Sequence, residues 1–336
     1  MTGPLRTTGG ASTSGCSHQT VFRPRLFCAR PRNLVSRALS EREDFGRSGE
    51  KVDLILSSGF LAFANHSGFL QAVEEAGLRV GGVMGTSAGA LAGSLYCAGY
   101  KPHEVAEHLS STPPISFLRP SLAPWRGGLL SLDGVVERLR ELLPATFEEL
   151  NMELAVGVVT ADGRHQLIDS GPLPEAVAAS AAIPFVFQSV DIPGHTQRNP
   201  YKDGGVVDRI GLAAWRDRRR SQLKAAGLNP ARVPPALVHV ISRSSPFSGF
   251  DDVGALSEPQ VCVVRSPKAG VNFFSLGDFE GHMSASRQRA RPVLVEALTS
   301  GRVGGGVSAG AVAGAASAAA RGDQRSPERK RFVSTA

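Results

Sequence analysis

Residues 80–98 read VGGVMGTSAGALAGSLYCA and carry the strongest indication of the architecture. Residues 80–84 form a short apolar run of the kind that fits a buried strand. Residues 88–98 are mostly small and apolar and stop at Gly99, which is typical of a helix with a glycine at its end. The stretch therefore predicts a strand followed directly by a helix, with a glycine-containing turn between them.

The turn has the G-x-S-x-G form, with Gly85, Thr86, Ser87, Ala88 and Gly89 in order. This pentapeptide is common by chance, but here it follows a predicted strand and opens a predicted helix. Such a turn is too tight for side chains two residues before and two after the serine. It would lift the Ser87 hydroxyl above the sheet and place the Ala88 N–H at a helix N-terminus, where an oxyanion is stabilised. The alternative is an ordinary tight turn with a buried serine.

The same alternation of strand and helix continues through residues 51–300. Short apolar runs predict further strands at 52–57, 154–160, 237–242 and 261–265. Helical spacing of apolar residues predicts helices near 69–76, 132–143 and 279–298, the last interrupted or kinked at Pro292. Apolar strands that alternate with amphipathic helices predict one α/β domain of three layers, with a mostly parallel central sheet and helices on both faces.

Composition and charge exclude several classes of protein. Of the 336 residues, 42% are apolar and 20% are charged, which allows a large core. The net charge is +7, but residues 1–40 carry +6 and residues 301–336 carry +4, which leaves −3 on the central 260 residues. A nucleic-acid binder keeps its basic charge on the folded part, so we expect no nucleic-acid partner. The four cysteines are far apart without metal-type spacing, so we expect no disulfide framework, metal or cofactor.

The two ends of the chain differ in composition from its centre. Residues 1–50 are rich in Ser, Thr and Arg, lack acids until Glu41 and contain no long apolar segment. This predicts an organellar transit peptide, with the chloroplast favoured over the mitochondrion because Ser, Thr and Gly dominate its beginning. The alternative is a plain disordered extension on a cytoplasmic protein. The Gly- and Ala-rich basic tail 301–336 has few large apolar residues, and we expect it to be disordered.

A serine nucleophile needs a base, and Asp203 is one candidate. It is followed by Gly204 and Gly205, and such a loop can bring a carboxylate close to another backbone. The alternative is a common Asp-Gly turn. If Asp203 is the base, we expect it to be enclosed, because burial raises the pKa of a carboxyl group towards neutrality.

The histidines offer a second kind of base, but no pattern selects one of the eight. His239 lies inside a predicted strand, where a histidine is more often a core residue. His282 follows Asp203 in the Ser, Asp, His order of α/β-hydrolases. His66 is better interpreted as part of the first strand–helix connection. A triad through His282 therefore remains open beside the aspartate alone.

Taken together, these motifs resemble the patatin-like phospholipase family. The first strand, the loop after it, the turn at 85–89, the sequence ASAAIP at 179–184 and the Asp203 loop occur in that family's order. The resemblance is close over 54–216 and looser over 51–300. It implies a patatin-like fold with a nucleophile elbow at Ser87, and a serine–aspartate dyad in which Asp203 accepts the proton. It also implies hydrolysis of lipid acyl esters without a metal in the dyad.

The loop after the first strand departs from the family pattern. The family reads roughly Gly-Gly-Gly-x-Arg-Gly, whereas residues 58–63 read SGFLAF. Backbone N–H groups of Gly59, Phe60 and Ala88 can still form an oxyanion hole, because every non-proline residue has one. What we expect to be lost is the freedom to adopt positive φ and a cation near a substrate phosphate. The loop's large residues are expected at the mouth of the site or, alternatively, in the core: Phe60, Leu61 and Phe63.

The sequence thus predicts a lipid acyl hydrolase that acts through an acyl-enzyme. An acyltransferase that uses the same serine and a non-catalytic lipid-binding relative are the alternatives. The basic stretch at residues 216–220, with Lys224, could contact an anionic membrane surface, although a solvated helix face is the simpler interpretation.

Overall fold

A seven-stranded sheet organises the chain. The computed structural model describes residues 51–122, 124–196, 198–243, 248–249 and 251–302. The strands of this sheet are β1 Val52–Leu56, β2 Val80–Thr86, β5 Glu153–Val159, β6 His165–Ile168, β8 Lys202–Asp203, β9 Ala236–Ile241 and β10 Val261–Ser266. Their spatial order is β10-β9-β1-β2-β5-β6, and β8 also pairs with β5. The first five strands of that order are parallel, whereas β6 and β8 run antiparallel to β5.

A second, three-stranded sheet was not predicted. It consists of β3 Arg119–Pro120, β4 Gly128–Ser131 and β7 Phe185–Phe187. The central strand β4 pairs antiparallel with β3 and parallel with β7. Strands of two to four residues are too short to show a period in the sequence.

Helices cover both faces of the large sheet. They are α1 Phe63–Glu75, α2 Ala88–Cys97, α3 Pro102–Ser110, α4 Asp133–Leu142, α5 Leu173–Ser180, α6 Leu212–Ala225, α7 Val253–Leu256 and α8 Phe279–Thr299. The helix α8 continues through Pro292, so of the predicted interruption or kink the interruption is wrong. The proline has no N–H and so removes one hydrogen bond from this helix, which packs on α1 and β10.

The alternation of side chains along β1 shows how the layers form. Leu54 and Leu56 belong to the core on one face, together with side chains of α1–α5 and α8. Ile55 belongs to the core on the other face, with side chains of α6 and α7. Because successive residues of a strand point to opposite faces, one apolar strand serves both cores. The three-layer α/β fold with a mostly parallel central sheet is therefore confirmed.

The basic stretch on α6 is an ion-paired packing surface. Each of its four arginines has a carboxylate partner, and the pairs are Arg216–Glu258, Arg218–Asp169, Arg219–Asp53 and Arg220–Asp217. The buried Asp53 also accepts a hydrogen bond of 2.8 Å from the indole N–H of Trp215. Since the four arginines are paired within the molecule, they offer little free charge for the predicted membrane contact. The exposed Arg220–Asp217 pair and the exposed Lys224 fit the predicted solvated face, whereas Arg216 is buried.

Two expectations fall largely on residues that the structure does not describe. The predicted transit peptide, 1–50, lies outside the described residues, and so does the basic tail from residue 303 onward. Within the described residues, no helix is both long enough and apolar enough to cross a membrane.

Candidate active site

The nucleophile turn lies where β2 meets α2. Ser87 has φ 55° and ψ −119°, a strained conformation for a residue with a side chain. A Cβ atom at Gly85 would lie 2.5 Å from the carbonyl oxygen of Gly89, and one at Gly89 would lie 2.1 Å from that of Leu56. Both glycines are therefore required by contacts with backbone, which cannot move aside as a side chain can.

Asp203 stands beside this turn at the end of β8. Its carboxylate is buried and accepts a hydrogen bond of 2.7 Å from the N–H of Gly205, and it lies close enough to Ser87 for the serine hydroxyl to lower its pKa. Burial has the larger effect and raises the pKa of Asp203 to about 6, although the Ser87 hydroxyl and the Gly205 N–H act in the opposite direction. The structure thus brings the two principal candidates together, with the carboxyl group enclosed as expected.

Gly204, directly after Asp203, is needed for the same steric reason as the glycines of the turn. A Cβ atom at Gly204 would lie 2.4 Å from the carbonyl oxygen of Gly157 on β5. One at Gly205 would lie 2.5 Å from the side-chain hydroxyl of Ser58, which is less rigid than backbone. The backbone contact at Gly204 therefore sets the stricter limit on the loop that carries Asp203.

Ser180 is a functional residue that sequence reasoning missed. At the end of α5, its hydroxyl accepts a hydrogen bond of 3.0 Å from the N–H of Ser87 and donates one of 2.6 Å to the carbonyl of Gly157. It therefore tethers the nucleophile turn to β5. The only signal in the sequence was its place in the ASAAIP run, and nothing local connects that run to Ser87.

The loop after β1 keeps its one glycine for a reason of packing. A Cβ atom at Gly59 would lie 2.8 Å from the side chain of Ile241. Leu61, two residues later, has φ 49°. The expectation that this loop gives up positive φ is therefore wrong, because a leucine adopts it at the cost of local strain.

An arginine from elsewhere in the chain anchors this loop. The guanidinium of the buried Arg209 donates hydrogen bonds to the carbonyls of Ile241 and, at 3.3 Å, of Ser58, and it pairs with Asp251. Burial lowers its pKa, and Asp251 opposes that effect. The Arg209 guanidinium thus binds main-chain carbonyl groups. It does not replace the arginine that the family pattern has within the loop itself.

Two buried histidines form a chain of hydrogen bonds instead of a catalytic base. His66 Nε2 donates to the carbonyl of Ser57 at 3.0 Å, which makes its Nδ1 the acceptor for His239 Nδ1–H, also at 3.0 Å. His239 Nε2 then accepts from the hydroxyl of Ser266 at 3.0 Å. Burial lowers the pKa of His66 to about 4 and that of His239 well below its ordinary value, so both rings are neutral.

His282, the candidate for a triad, lies on α8 in the first turn of that helix. The groups that act on the Asp203 carboxylate are the hydroxyl of Ser87 and the N–H of Gly205, and neither belongs to a histidine. This arrangement is the one expected if Asp203 acts on Ser87 without an imidazole between them.

An apolar cavity of about 130 Å³ opens at Ser87 and Ala88. Phe60, Leu61 and Phe63 of the loop after β1 line it, and the ring of Phe60 packs edge-on against Phe273 at 5.1 Å between centroids. The loop's apolar residues thus stand at the site, and Phe63 is also part of the buried interior. The rest of the wall is mostly aliphatic or aromatic, for example Leu91, Leu132, Leu139, Ile183 and Phe187.

Comparison with known proteins places these features in a family. The model of the patatin-like phospholipases matches residues 54–214. An NTE family protein of Mycobacterium tuberculosis is 29% identical over 195 residues, which are 57% of this chain and 52% of that protein. The protein YqhO of Bacillus subtilis is 24% identical over 208 residues, or 53% of this chain and 72% of that protein. The chain spans about half the length of the mycobacterial relative.

Solved structures resemble this one more distantly. VipD from Legionella pneumophila aligns with a TM-score of 0.44 and 13% identity, covering 74% of this chain and 67% of that one. The type III effector protein ExoU of Pseudomonas aeruginosa aligns with a TM-score of 0.41 and 16% identity, covering 74% and 53%. Residues 54–214 of the chain thus match the patatin-like phospholipase family.

Proposed function

We propose that this protein is a lipid acyl hydrolase in which Ser87 is the nucleophile and Asp203 the proton acceptor. One observation carries the proposal: Ser87 lies beside the buried carboxylate of Asp203, whose pKa is raised to about 6, at the opening of an apolar cavity. A carboxyl group with its ordinary pKa of 3.8 would be a weak base at neutral pH. A pKa near 6 leaves Asp203 mostly ionised at pH 7 and a better acceptor of a proton.

The proposed reaction has two steps. Ser87 Oγ attacks the carbonyl carbon of the ester while its proton moves to Asp203, and the departing alcohol takes that proton as the C–O bond breaks. Water then attacks the acyl-enzyme and gives a proton to Asp203. The fatty acid leaves as Ser87 Oγ recovers the proton.

The negative charge that develops on the carbonyl oxygen in both steps needs donors. We assign this role to the N–H groups of Gly59, Phe60 and Ala88. Ala88 is the first residue of α2, where the helix dipole favours an anion, and both Phe60 and Ala88 line the cavity beside Ser87. The hydrogen bond from Ser87 N–H to Ser180 keeps the turn in the geometry that this arrangement requires.

The cavity indicates which part of the substrate enters. Most of its wall is apolar, with His108, Thr112 and Arg138 as polar lining residues besides Ser87, so it suits the acyl chain rather than the head group of a lipid. Phospholipids, galactolipids and neutral acylglycerols all present such a chain next to an ester.

The activity is tested by incubating the full chain with phospholipids, lysolipids, galactolipids and acylglycerols and measuring the released fatty acid. We expect release from at least one class, and none with Ser87→Ala. A fluorophosphonate probe should label wild type and not Ser87→Ala, which distinguishes an enzyme from a lipid-binding relative. Acyl transfer to added glycerol in place of release would identify an acyltransferase. No release, no transfer and no labelling would contradict the proposal.

We also propose that residues 1–50 direct the protein to the chloroplast, on the strength of their composition alone. A fluorescent protein fused behind this segment should enter chloroplasts. Fluorescence that remains in the cytosol or enters mitochondria would contradict that destination.

A further inference from the structure

Large apolar side chains are exposed at one end of the three-stranded sheet. Leu122, Trp125, Leu129 and Phe185 are 92%, 82%, 73% and 78% exposed, and we call these four residues the apolar edge. Among the described residues, six large apolar side chains are at least 73% exposed, and four of these six lie within two short segments. Exposed apolar groups that cluster in this way mark an interaction surface.

Backbone hydrogen bonds hold the apolar edge together. The N–H of Ser121, next to Leu122, donates to the carbonyl of Leu129 at 2.9 Å. The N–H of Phe185 donates to the carbonyl of Gly127 at 2.9 Å, and Gly127 closes the turn that contains Trp125 by donating to Pro124 at 3.1 Å. The four side chains therefore stand on one sheet end and not on independent loops.

The strained backbone conformation of Phe185 indicates that the exposure of its side chain serves a function. This residue has φ 69°, which is rare and costly for a bulky side chain. Two residues later on the same strand, Phe187 is buried and lines the cavity. The fold thus keeps the ring of Phe185 exposed to solvent at the cost of backbone strain. Phe187, which lines the apolar cavity, lies two residues away on the same strand.

The apolar edge is continuous with the wall of that cavity. Within the three-stranded sheet and its flanks, Leu118, Leu132 and Phe187 face the cavity, while Leu129 and Phe185 face solvent. The acyl chain of a lipid that leaves the cavity past this sheet would contact the apolar edge before it reached water.

The charges around the apolar edge fit a lipid surface. Residues 111–132 contain Arg119 and Arg126 but no acid, and residues 183–190 contain no charge. Arg119 is paired with Glu137. Removing an unpaired carboxylate from water is costly. These two segments contain no carboxylate, so inserting this end of the sheet into lipid does not incur that cost. The paired arginines of α6 offer no comparable surface.

We propose that the apolar edge enters the boundary between head groups and acyl chains of a lipid membrane and places the cavity mouth against the bilayer. Tryptophan and phenylalanine favour this boundary, and burial of each large apolar side chain adds to the affinity. An acyl chain would then pass from the bilayer to Ser87 with little exposure to water. This inference rests on the proposed function for its substrate, but membrane binding itself does not require activity.

The two tryptophans of the chain allow a direct test. Trp125 is 82% exposed, whereas Trp215, on α6, is completely buried. The full chain carrying Ser87→Ala is mixed with vesicles of phosphatidylcholine and phosphatidylglycerol, with and without acyl-chain bromine. We expect a blue shift and bromine quenching of the tryptophan emission, and the loss of both in Trp125→Phe. Binding to vesicles without quenching would place the contact elsewhere and overturn the proposal.

A matched pair of substitutions measures the affinity. Leu129 and Val253 are equally exposed, at 73%, but Val253 lies on α7, across the large sheet from the cavity. We expect Leu129→Ser to weaken vesicle binding on the order of tenfold and Val253→Ser to leave it unchanged. Hydrolysis of a soluble short-chain ester should be the same in both variants. Equal binding by both variants, or a dimer of the wild type that Leu129→Ser dissociates, would overturn the membrane assignment, whether or not the protein is a hydrolase.

Discussion

Two loops flank Ser87, and they use glycine for different reasons. In the loop after β8, a Cβ atom at Gly204 would lie 2.4 Å from a backbone carbonyl oxygen, that of Gly157. In the loop after β1, the contact at Gly59 is with the side chain of Ile241, and Leu61 adopts φ 49° although a glycine would do so without strain. A steric contact with backbone excludes every side chain, whereas an unfavourable φ only costs energy. Gly204 is therefore more strictly required in the first loop than any residue of the second.

The loops also offer different groups to the reaction. The loop after β8 supplies a side chain, Asp203, while the loop after β1 would supply backbone N–H groups. A single substitution of Asp203 removes its carboxylate, whereas a backbone N–H group remains after any substitution except one to proline. We therefore expect substitutions in the loop after β8 to have larger effects than substitutions in the loop after β1.

The largest effect is expected from Asp203→Asn. The amide keeps the shape but removes the negative charge and the basicity, so turnover should fall on the order of 10⁴-fold, as for loss of a triad member. The measurement is the rate of ester hydrolysis, with thermal melting as a check on folding.

His282→Ala is the matched control for that variant. If Asp203 acts directly on Ser87, the control should retain activity within a few-fold. A folded but inactive His282→Ala would show that a histidine is the base, and the assignment of Asp203 would then be wrong.

Gly204→Ala should have the next largest effect. Its Cβ atom would stand 2.4 Å from the carbonyl oxygen of Gly157, which belongs to the central strand β5. We expect a loss of roughly 2–4 kcal/mol in the free energy of unfolding, because neither backbone can yield cheaply. Gly270→Ala is the control, since a Cβ atom there would have no neighbour within 4 Å and should change the stability little. Equal denaturant midpoints for the two variants would contradict this steric explanation.

The pH dependence of kcat/KM should report on Asp203. Burial raises its pKa to about 6, and only the ionised form accepts a proton. The rate should therefore be level above about pH 6 and fall roughly tenfold for each pH unit below it. The buried His66 and His239 have lowered pKa values, so neither accounts for a step near 6. A profile that stays level down to pH 4 would mean that the base has the ordinary pKa of an exposed carboxyl group.

The smallest effect is expected from Leu61→Gly in the other loop. Glycine relieves the strain at φ 49°, which offsets the lost apolar contacts, so we expect a change of at most about 1 kcal/mol in the free energy of unfolding. Leu109 is also half-buried and lines the cavity, but it lies in the helix α3. Leu109→Gly should cost about 2 kcal/mol more than Leu61→Gly, because glycine within a helix adds its own penalty. Thermal melting of both variants measures the difference, and equal losses would show that Leu61 is not strained.

Local patterns were sufficient to predict the five parallel strands of the large sheet, the nucleophile turn and the Asp203 loop as separate features, whereas the antiparallel strands β6 and β8 were not predicted. Each strand of the parallel core is a short apolar run, and each turn has its glycines beside the residue that they present. Such signals are local because the spacing of apolar side chains along a strand or helix, and the backbone conformations open to glycine, depend on only a few adjacent residues. The resemblance to a family then joined Ser87 to Asp203, which no local pattern could do.

Contacts between distant parts of the chain account for what sequence reasoning missed. Ser180 binds the N–H of Ser87 across 93 positions, Arg209 reaches Ser58 across 151, and His239 reaches His66 across 173. The short strands of the second sheet exist only because β4 finds β7 more than fifty residues away. The raised pKa of Asp203 and the exposure of the apolar edge arise in the same way. Burial is a property of what packs around a residue, and a linear pattern does not contain it.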